Sequence, residues 1–317
     1  MVPYPSLRAL LILTIAVTGC QLQIPTPIGP TPSGQTPDAM TAVNETEQAP
    51  QPTTAPDEVV QIRDAQYQLG TPDSLQVVQL VNGRFEQGTP GSTDFISVLV
   101  TDFVATGDLD ADGNDEVAAL ISENYGGTGV FVFLAVYSRV NGELEFQTST
   151  IVDDRPQLNA LSIENQEIFL DATIHGAEEP LCCPTLRTTR HYRLAETVQL
   201  DMTDYTTFTP DGRPRTIRIE SPANGTEVFS SVEIKGSVAI APFENNLTYS
   251  IEDLGGVELA RGAISVTAPD LGGPGTFEAV IPLGDILSGA VIQLEVQDIS
   301  AADGSLFAMD SVELVVK

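Results

Sequence analysis

Between Thr216 and Val316 the chain repeats one pattern: short runs of alternating apolar and polar residues, separated by turn residues. Seven such runs can be read, at 216–220, 232–240, 247–252, 258–267, 276–283, 290–298 and 311–316. In three of them the apolar face is easily traced. Val232, Ile234, Gly236, Val238 and Ile240 share one side, as do Leu247, Tyr249 and Ile251, and Ala290, Ile292, Leu294 and Val296. A period of two sends every second side chain to the same side of a strand, so each run can bury one face and wet the other. A helix needs apolar residues three and four apart, which these runs do not supply. Stripes of this kind are satisfied when two antiparallel sheets stack. No cysteine lies in the region, so the stack must hold by packing alone.

Seven short strands in about 100 residues is the signature of an immunoglobulin-like β-sandwich, predicted here for 214–317. The residues Ile219-Glu220-Ser221-Pro222-Ala223-Asn224-Gly225-Thr226-Glu227-Val228, followed by Val232 to Ala239, carry a closer likeness. They resemble the opening of the immunoglobulin-like domain of bacterial spore germination proteins, which is often joined to a GerM domain. Phe243-Glu244 with Leu247 to Ile251 is similar to its next strand, and Gly275-Thr276-Phe277 and Val296 to Ser305 to its last two. The resemblance implies a cell-envelope binding or spacer module rather than sporulation itself, and no GerM partner is recognisable in the chain. The acids Glu252, Asp253, Asp298 and Asp303 are expected at turns, solvated, and they form no catalytic set.

The preceding stretch, 58–210, is expected to be a β-rich domain of hairpins. Asn-Gly between apolar runs is the strongest short hairpin signal, and it occurs at Asn82-Gly83 and Asn141-Gly142. The flanking strands are predicted at 76–81 and 84–86, and at 130–140 and 143–147. Leu161 to Glu164 and Glu167 to Asp171 pair across Asn165-Gln166, and Arg190 to Leu194 reads as a closing strand. The one helical reading is at 57–66. The glycines of Asn124-Tyr125-Gly126-Gly127-Thr128-Gly129 suit a hairpin connection, because a phosphate-cradling loop would need a helix after it and β-branched and aromatic residues follow instead.

The main chemical motif of this domain is Gly107-Asp108-Leu109-Asp110-Ala111-Asp112-Gly113-Asn114-Asp115-Glu116. Asp108, Asp110 and Asp112 stand at positions 1, 3 and 5 of a D-x-D-x-D-G loop, with Gly113 at the sharp turn, the Asn114 carbonyl inward and Glu116 at position 9. Three carboxylates at alternate positions converge when a cation neutralises them, and Ca²⁺ takes six to eight oxygens. Position 12 is Ala119, where a helix-loop-helix calcium site needs a bidentate Glu. The flanks read as strands, so the segment resembles the calcium loops of integrin-type FG-GAP repeats, which sit in a β-hairpin. One copy does not make a propeller. The expected metal is a structural Ca²⁺ held by Asp108, Asp110, Asp112, Asn114 and Glu116; the alternative is an acidic turn that is merely solvated.

Both histidines flank the segment that holds Cys182 and Cys183. Three readings compete: a vicinal disulfide, a site in which His175, His191 and the two thiols hold a transition metal, or two buried thiols beside ordinary histidines. The disulfide is slightly favoured over free thiols, since the compartment is oxidising or thiol-poor. Residues from about 100 to 190 are also similar to a group of uncharacterised secreted bacterial proteins, a resemblance that implies no activity.

The compartment is read from the amino terminus. Arg8 precedes the apolar run Ala9–Val17, and Val17-Thr18-Gly19-Cys20 closes it. The run is too short to span a bilayer comfortably and reads as a secretory signal at 1–19. Its ending resembles the bacterial lipobox, which implies cleavage before Cys20 and acylation of that residue. The protein is then expected outside the cytoplasm, anchored to the cell membrane by lipid. Residues 20–57, rich in Pro, Thr and Gln without hydrophobic period, are expected to be a disordered linker.

The fold class is therefore mostly β: a hairpin domain, then an immunoglobulin-like sandwich, after a signal peptide and a linker. Charge excludes several functions. With 14 Lys+Arg against 44 Asp+Glu and a net charge of −30, the chain is repelled by nucleic acid and anionic surfaces. Two lysines, no phosphate-binding GxxxxGK[ST], and no HExxH, GxSxG or GxGxxG leave most hydrolase and dinucleotide chemistries without their parts. The expectation is a non-enzymatic envelope lipoprotein that contacts an unidentified envelope protein or polysaccharide. The competing expectation is an envelope hydrolase that uses the acidic loop or a carboxylate pair as its catalytic site.

Overall fold

The computed structural model describes residues 60–70, 75–195, 198–284 and 286–317, all within one unit, Thr53–Lys317. The signal segment, Cys20, the linker to residue 57 and the first part of the 57–66 segment lie outside the described residues. After Val60 the chain forms a 3-10 turn at Ile62–Asp64 and then becomes strand. Among the described residues no helix is long and apolar enough to cross a membrane.

β1 (Gln66–Leu69) and β2 (Gln76–Gln79) form a two-stranded ribbon. β3 (Arg84–Gln87), β4 (Ile96–Gly107), β5 (Glu116–Asn124), β6 (Phe131–Val140) and β7 (Glu143–Asp154) follow as an antiparallel meander. A second meander comprises β8 (Gln157–Glu164), β9 (Glu167–Ile174), β10 (Leu186–Leu194) and β11 (Leu200–Phe208), with β12 (Pro214–Arg215) folded back on β11.

The turn signals act as sequence chemistry requires, with one difference in pairing. Asn141-Gly142 and Asn165-Gln166 take positive φ at both residues, the geometry that matches hairpin twist, and join β6 to β7 and β8 to β9. Asn82-Gly83 adopts the same turn, but only the bridge Val81–Arg84 closes across it. The strands then part, β2 to β1 and β3 to β4. Burial decides this: Val78 and Leu80 pack with Ile62 and Tyr67 in a core that the ribbon builds over one face of the five-stranded sheet. A second correction concerns 190–194. β10 is central rather than closing, paired with β9 on one side and β11 on the other. The sequence of β11, Leu200 to Phe208, alternates only at Leu200 and Met202, and its strand signal is the run of Thr, Tyr and Phe that follows.

β5 and β6 are covered on both faces. Val117, Ala119 and Ile121 face the ribbon's core, while Ala118, Leu120, Val132, Leu134 and Val136 face β9 and β10 through Ile168, Leu170, Ala172 and Tyr192. A strand buried on both sides reads as a continuous apolar run, as Val117–Ile121 does.

The carboxyl-terminal region is the predicted sandwich. β13 (Ile217–Ser221), β15 (Ser231–Val238) and β18 (Gly275–Pro282) form one sheet, and β16 (Asn246–Asp253), β17 (Glu258–Thr267), β19 (Val291–Ile299) and β20 (Leu306–Val316) the other, with β14 (Thr226–Val228) parallel to β20. β17 changes sheets, pairing with β16 for most of its length and with β18 at Val266 and Thr267. The faces traced by alternation, including Val232, Ile234, Val238, Leu247, Ile251, Ile292, Leu294 and Val296, meet in one core. Asp298 departs from expectation: it is buried at 5 % exposure, with Arg215 3.9 Å away, because it lies within β19 rather than at a turn. The second sheet continues from β20 into β11, β10, β9 and β8.

Candidate metal centre

The acidic motif lies between β4 and β5, which pair Gly107 with Glu116 at the base of the loop. Its setting is therefore a β-hairpin. Gly107 faces Ile163 so closely that a Cβ would fall 2.6 Å from the Ile163 Cγ2, which only glycine avoids. Leu109, 2 % exposed, enters the core shared by β5, β6, β9 and β10. Gly113 turns the chain at φ +88°.

Side-chain oxygens order the loop from within. Asp108 Oδ2 accepts from Gly113 N (3.1 Å), Asp110 Oδ1 from Asp112 N (3.1 Å), and Glu116 Oε2 from Leu109 N (2.9 Å). The other oxygen of Asp108 is buried and accepts no hydrogen bond. Ligand atoms of Asp108, Asp110 and Glu116 all lie within 4.8 Å of one another. Oxygens bound to one Ca²⁺ at roughly 2.3–2.6 Å can be at most about 5 Å apart, so this spacing suits a single ion. Asp112 and Asn114 are tied to each other instead: the Asn114 backbone and side-chain amides donate to the Asp112 carboxylate at 2.7–3.0 Å.

The electrostatics point the same way. Glu116 is 2 % exposed. Burial pushes its carboxyl above the usual range, the bond from Leu109 opposes the shift, and the charges of Asp110, Asp112 and Asp108 add to it. A buried carboxylate beside like charges is costly unless a cation or proton compensates it. The donor set is all oxygen, which fits a hard cation and not a thiophilic one.

The other motif residues are dispersed. His175 Nδ1 and its backbone N–H both meet Asp153 Oδ2, at 3.0 and 2.8 Å. His191 Nδ1 lies 3.3 Å from Glu167 Oε2, and that carboxylate raises the imidazole pKa. The histidines thus serve different strands, and among the described residues the one convergent His/Cys/Asp/Glu group is the acidic loop. Cys182 and Cys183 are exposed, unbonded thiols; the vicinal disulfide is not formed in this structure, and neither thiol is buried. Their loop is clamped by Glu179, which accepts from Gly176 N (3.1 Å), Thr185 N (2.9 Å) and the Thr185 hydroxyl.

Sequence reasoning missed a buried carboxylate in β5. Glu123 is 1 % exposed and accepts from the hydroxyls of Tyr67 (2.5 Å) and Tyr125. Burial raises its pKa while the two tyrosines hold it down. A Glu on the buried strand Glu116–Asn124, otherwise dominated by apolar residues, was the available signal.

With this geometry in view, comparison with known families concerns the sandwich. Residues 216–305 match the family model for the immunoglobulin-like domain of bacterial spore germination. The carboxyl-terminal sandwich is immunoglobulin-like and similar to that domain. The match stops short of the hairpin region and of the acidic loop. A search of curated proteins found no match to the chain.

Proposed function

We propose that this chain is a non-enzymatic envelope lipoprotein, anchored outside the cytoplasm through Cys20, whose immunoglobulin-like domain is a binding or spacer module. Its β4–β5 loop holds one structural calcium. The observation that carries the calcium is the convergence of Asp108, Asp110 and Glu116 around a buried Asp108 oxygen that has no hydrogen-bond partner. Asp108, Asp110 and Glu116 would hold the ion, and it would supply the positive charge that their burial lacks.

A structural role follows from what the loop is attached to. Leu109 sits in the core between the two meanders, and Gly107 presses on Ile163 of β8. Ordering the loop therefore fixes the contact between β4 and β8. The loop itself, Asp108 to Glu116, carries no Ser, Thr, Cys, His or Lys to serve as a nucleophile or nitrogen base, which favours this reading over hydrolysis. The partner would be an envelope protein or polysaccharide, since a net charge of −30 opposes nucleic acid.

Two measurements test the reading. Thermal melting with calcium and with a chelator should give separate midpoints; identical midpoints remove the metal. Intact mass of chain made in a bacterium should begin at Cys20 with added acyl groups; an unprocessed, unacylated amino terminus removes the anchor.

A further inference from the structure

The hairpin region and the sandwich share a sheet through one short ladder. β11 and β20 have three rungs: Asp204–Asp310, Tyr205–Met309 and Thr206–Ala308. Side-chain bonds extend it, with Thr207 Oγ1 donating to Phe307 O (2.7 Å) and Ser311 Oγ to Thr203 O (3.1 Å). Among the described residues no buried apolar cluster crosses the ladder. The sandwich core includes Ala308 and Val312, while Leu200 and Met202 pack against the separate core under β9 and β10. Tyr205 and Met309 are buried opposite each other in the middle rung, and Arg193 pairs with Glu313 (3.0 Å) beside it. With only three rungs and no larger apolar cluster across them, this joint is where local opening is easiest.

One rung sets Asp204 and Asp310 face to face, at the floor of a groove of about 940 Å³ whose other wall is β13. Like charges directly opposite across a sheet repel. Asp310 also accepts from Ile219 N (2.5 Å) and Ser311 N (3.0 Å), and so ties β13 to β20. The charges that act on the pair are Glu167 on β9, His191 on β10 and Arg218 on β13, and Arg193, Glu220 and Glu313 also line the groove.

We propose that the Asp204–Asp310 rung is a proton-operated latch: protonated, it closes the β11–β20 ladder, and doubly ionised, it loosens the ladder so that the immunoglobulin-like domain swings on β11. Burial is the main reason both carboxyls are pushed up to about 6, and the charge of Asp310 adds to the effect on Asp204. A carboxyl raised above its unfolded value stabilises the fold below that unfolded value, and the contribution is lost as pH rises through the folded one. The window here is therefore about pH 4 to 6. His191 acts in the same direction: its raised pKa means that its cation, which faces both aspartates, is also lost as pH rises. Glu167 is held low by its bonds to His191 and Thr203, which oppose its own switching. The ladder is closed in mild acid and loosened at neutral pH.

The test is amide hydrogen exchange on the full chain at pH 5 and pH 7.5, corrected for intrinsic exchange. Peptides covering Tyr205–Thr206 and Ala308–Met309 should be about tenfold more protected at pH 5, while sandwich-core peptides around Leu294 change little. Asp204→Asn and, separately, Asp310→Asn should each raise protection at pH 7.5 and shrink the difference between the two pH values, the remainder belonging to the other buried carboxyl and His191. The second substitution keeps a side-chain oxygen for the Ile219 N–H. Equal protection of the unsubstituted chain at both pH values overturns the latch. So does a pH dependence that survives Asp204→Asn unchanged.

Discussion

Glu116→Gln should stabilise the protein without calcium and destabilise it with calcium. The side chain is 2 % exposed, is beside three aspartates, and accepts one bond from Leu109 N–H. Glutamine keeps an oxygen for that bond and removes the charge. Without a cation, relief of an uncompensated buried charge is worth about 1 kcal/mol, at the low end of the cost of unsatisfied buried polar groups. With calcium at about one hundred times its dissociation constant, linkage stabilises the unsubstituted chain by about 2.7 kcal/mol. The variant, lacking one of three converging carboxylates, forgoes most of that gain. The net difference with calcium is then about 1.7 kcal/mol against the variant. For a unit of this length, each kcal/mol moves the midpoint by about 2–4 °C. Differential scanning calorimetry should therefore show the variant about 2–4 °C above the parent in chelator and about 3–7 °C below it in calcium. A variant equally destabilised in both buffers refutes the reasoning, because the carboxylate would then act through packing and not through charge.

Three further outcomes follow from other buried or exposed groups. Tyr67→Phe removes the 2.5 Å bond to Glu123 and leaves a buried carboxylate with one hydroxyl partner; a loss of about 1.5–3 kcal/mol is expected in urea unfolding, with Glu123→Gln in the same background recovering part of it. Glu295, pushed up to about 7 chiefly by burial and then by Glu252, should make stability fall as pH rises from about 4.5 to about 7; Glu295→Gln should remove about 2 kcal/mol of that fall after allowing for solvent screening, and an unchanged pH profile would count against it. Cys182 and Cys183 are exposed, so iodoacetamide should label both in the folded, reduced chain without denaturant; labelling that requires urea would contradict the exposed loop.

What was legible in the sequence was local. The alternation at Val232–Ile240 and Leu247–Ile251 marks a buried face directly, because strand period and burial are the same physical fact. The convergence of acids in the loop Asp108–Glu116 was legible because alternate positions in a tight turn send their oxygens to one side. The ligand set was less so: Asp112 stands at the expected position, yet Asn114 occupies its oxygens. What was not legible depends on distant pairing. Nothing near Asn82-Gly83 says that β2 will leave its hairpin for β1, since Tyr67 and Ile62 supply the attraction. Asp298 looks like a turn residue until Arg215, far away in sequence, is brought beside it. Asp204 and Asp310 are ordinary acids, far apart in the chain, until a ladder sets them opposite.

These placements give the second meander a specific position in the molecule. β8 to β11 form no closed core of their own. One side is completed by β5, β6 and Leu109 of the acidic loop, the other end by three rungs to β20. A chain so acidic can hold such a layer only where negative charge is neutralised or kept away, since self-repulsion acts against compactness. The apolar side is therefore stable by packing, and under the proposed function a cation at the loop would complement it. The other end is packed only at Tyr205 and Met309, and under the proposed latch it is set by protons at Asp204 and Asp310. Removing calcium should loosen the layer from β4 and raising pH should loosen it from β20, and the two effects should add, because the sites share no side chain and belong to different cores.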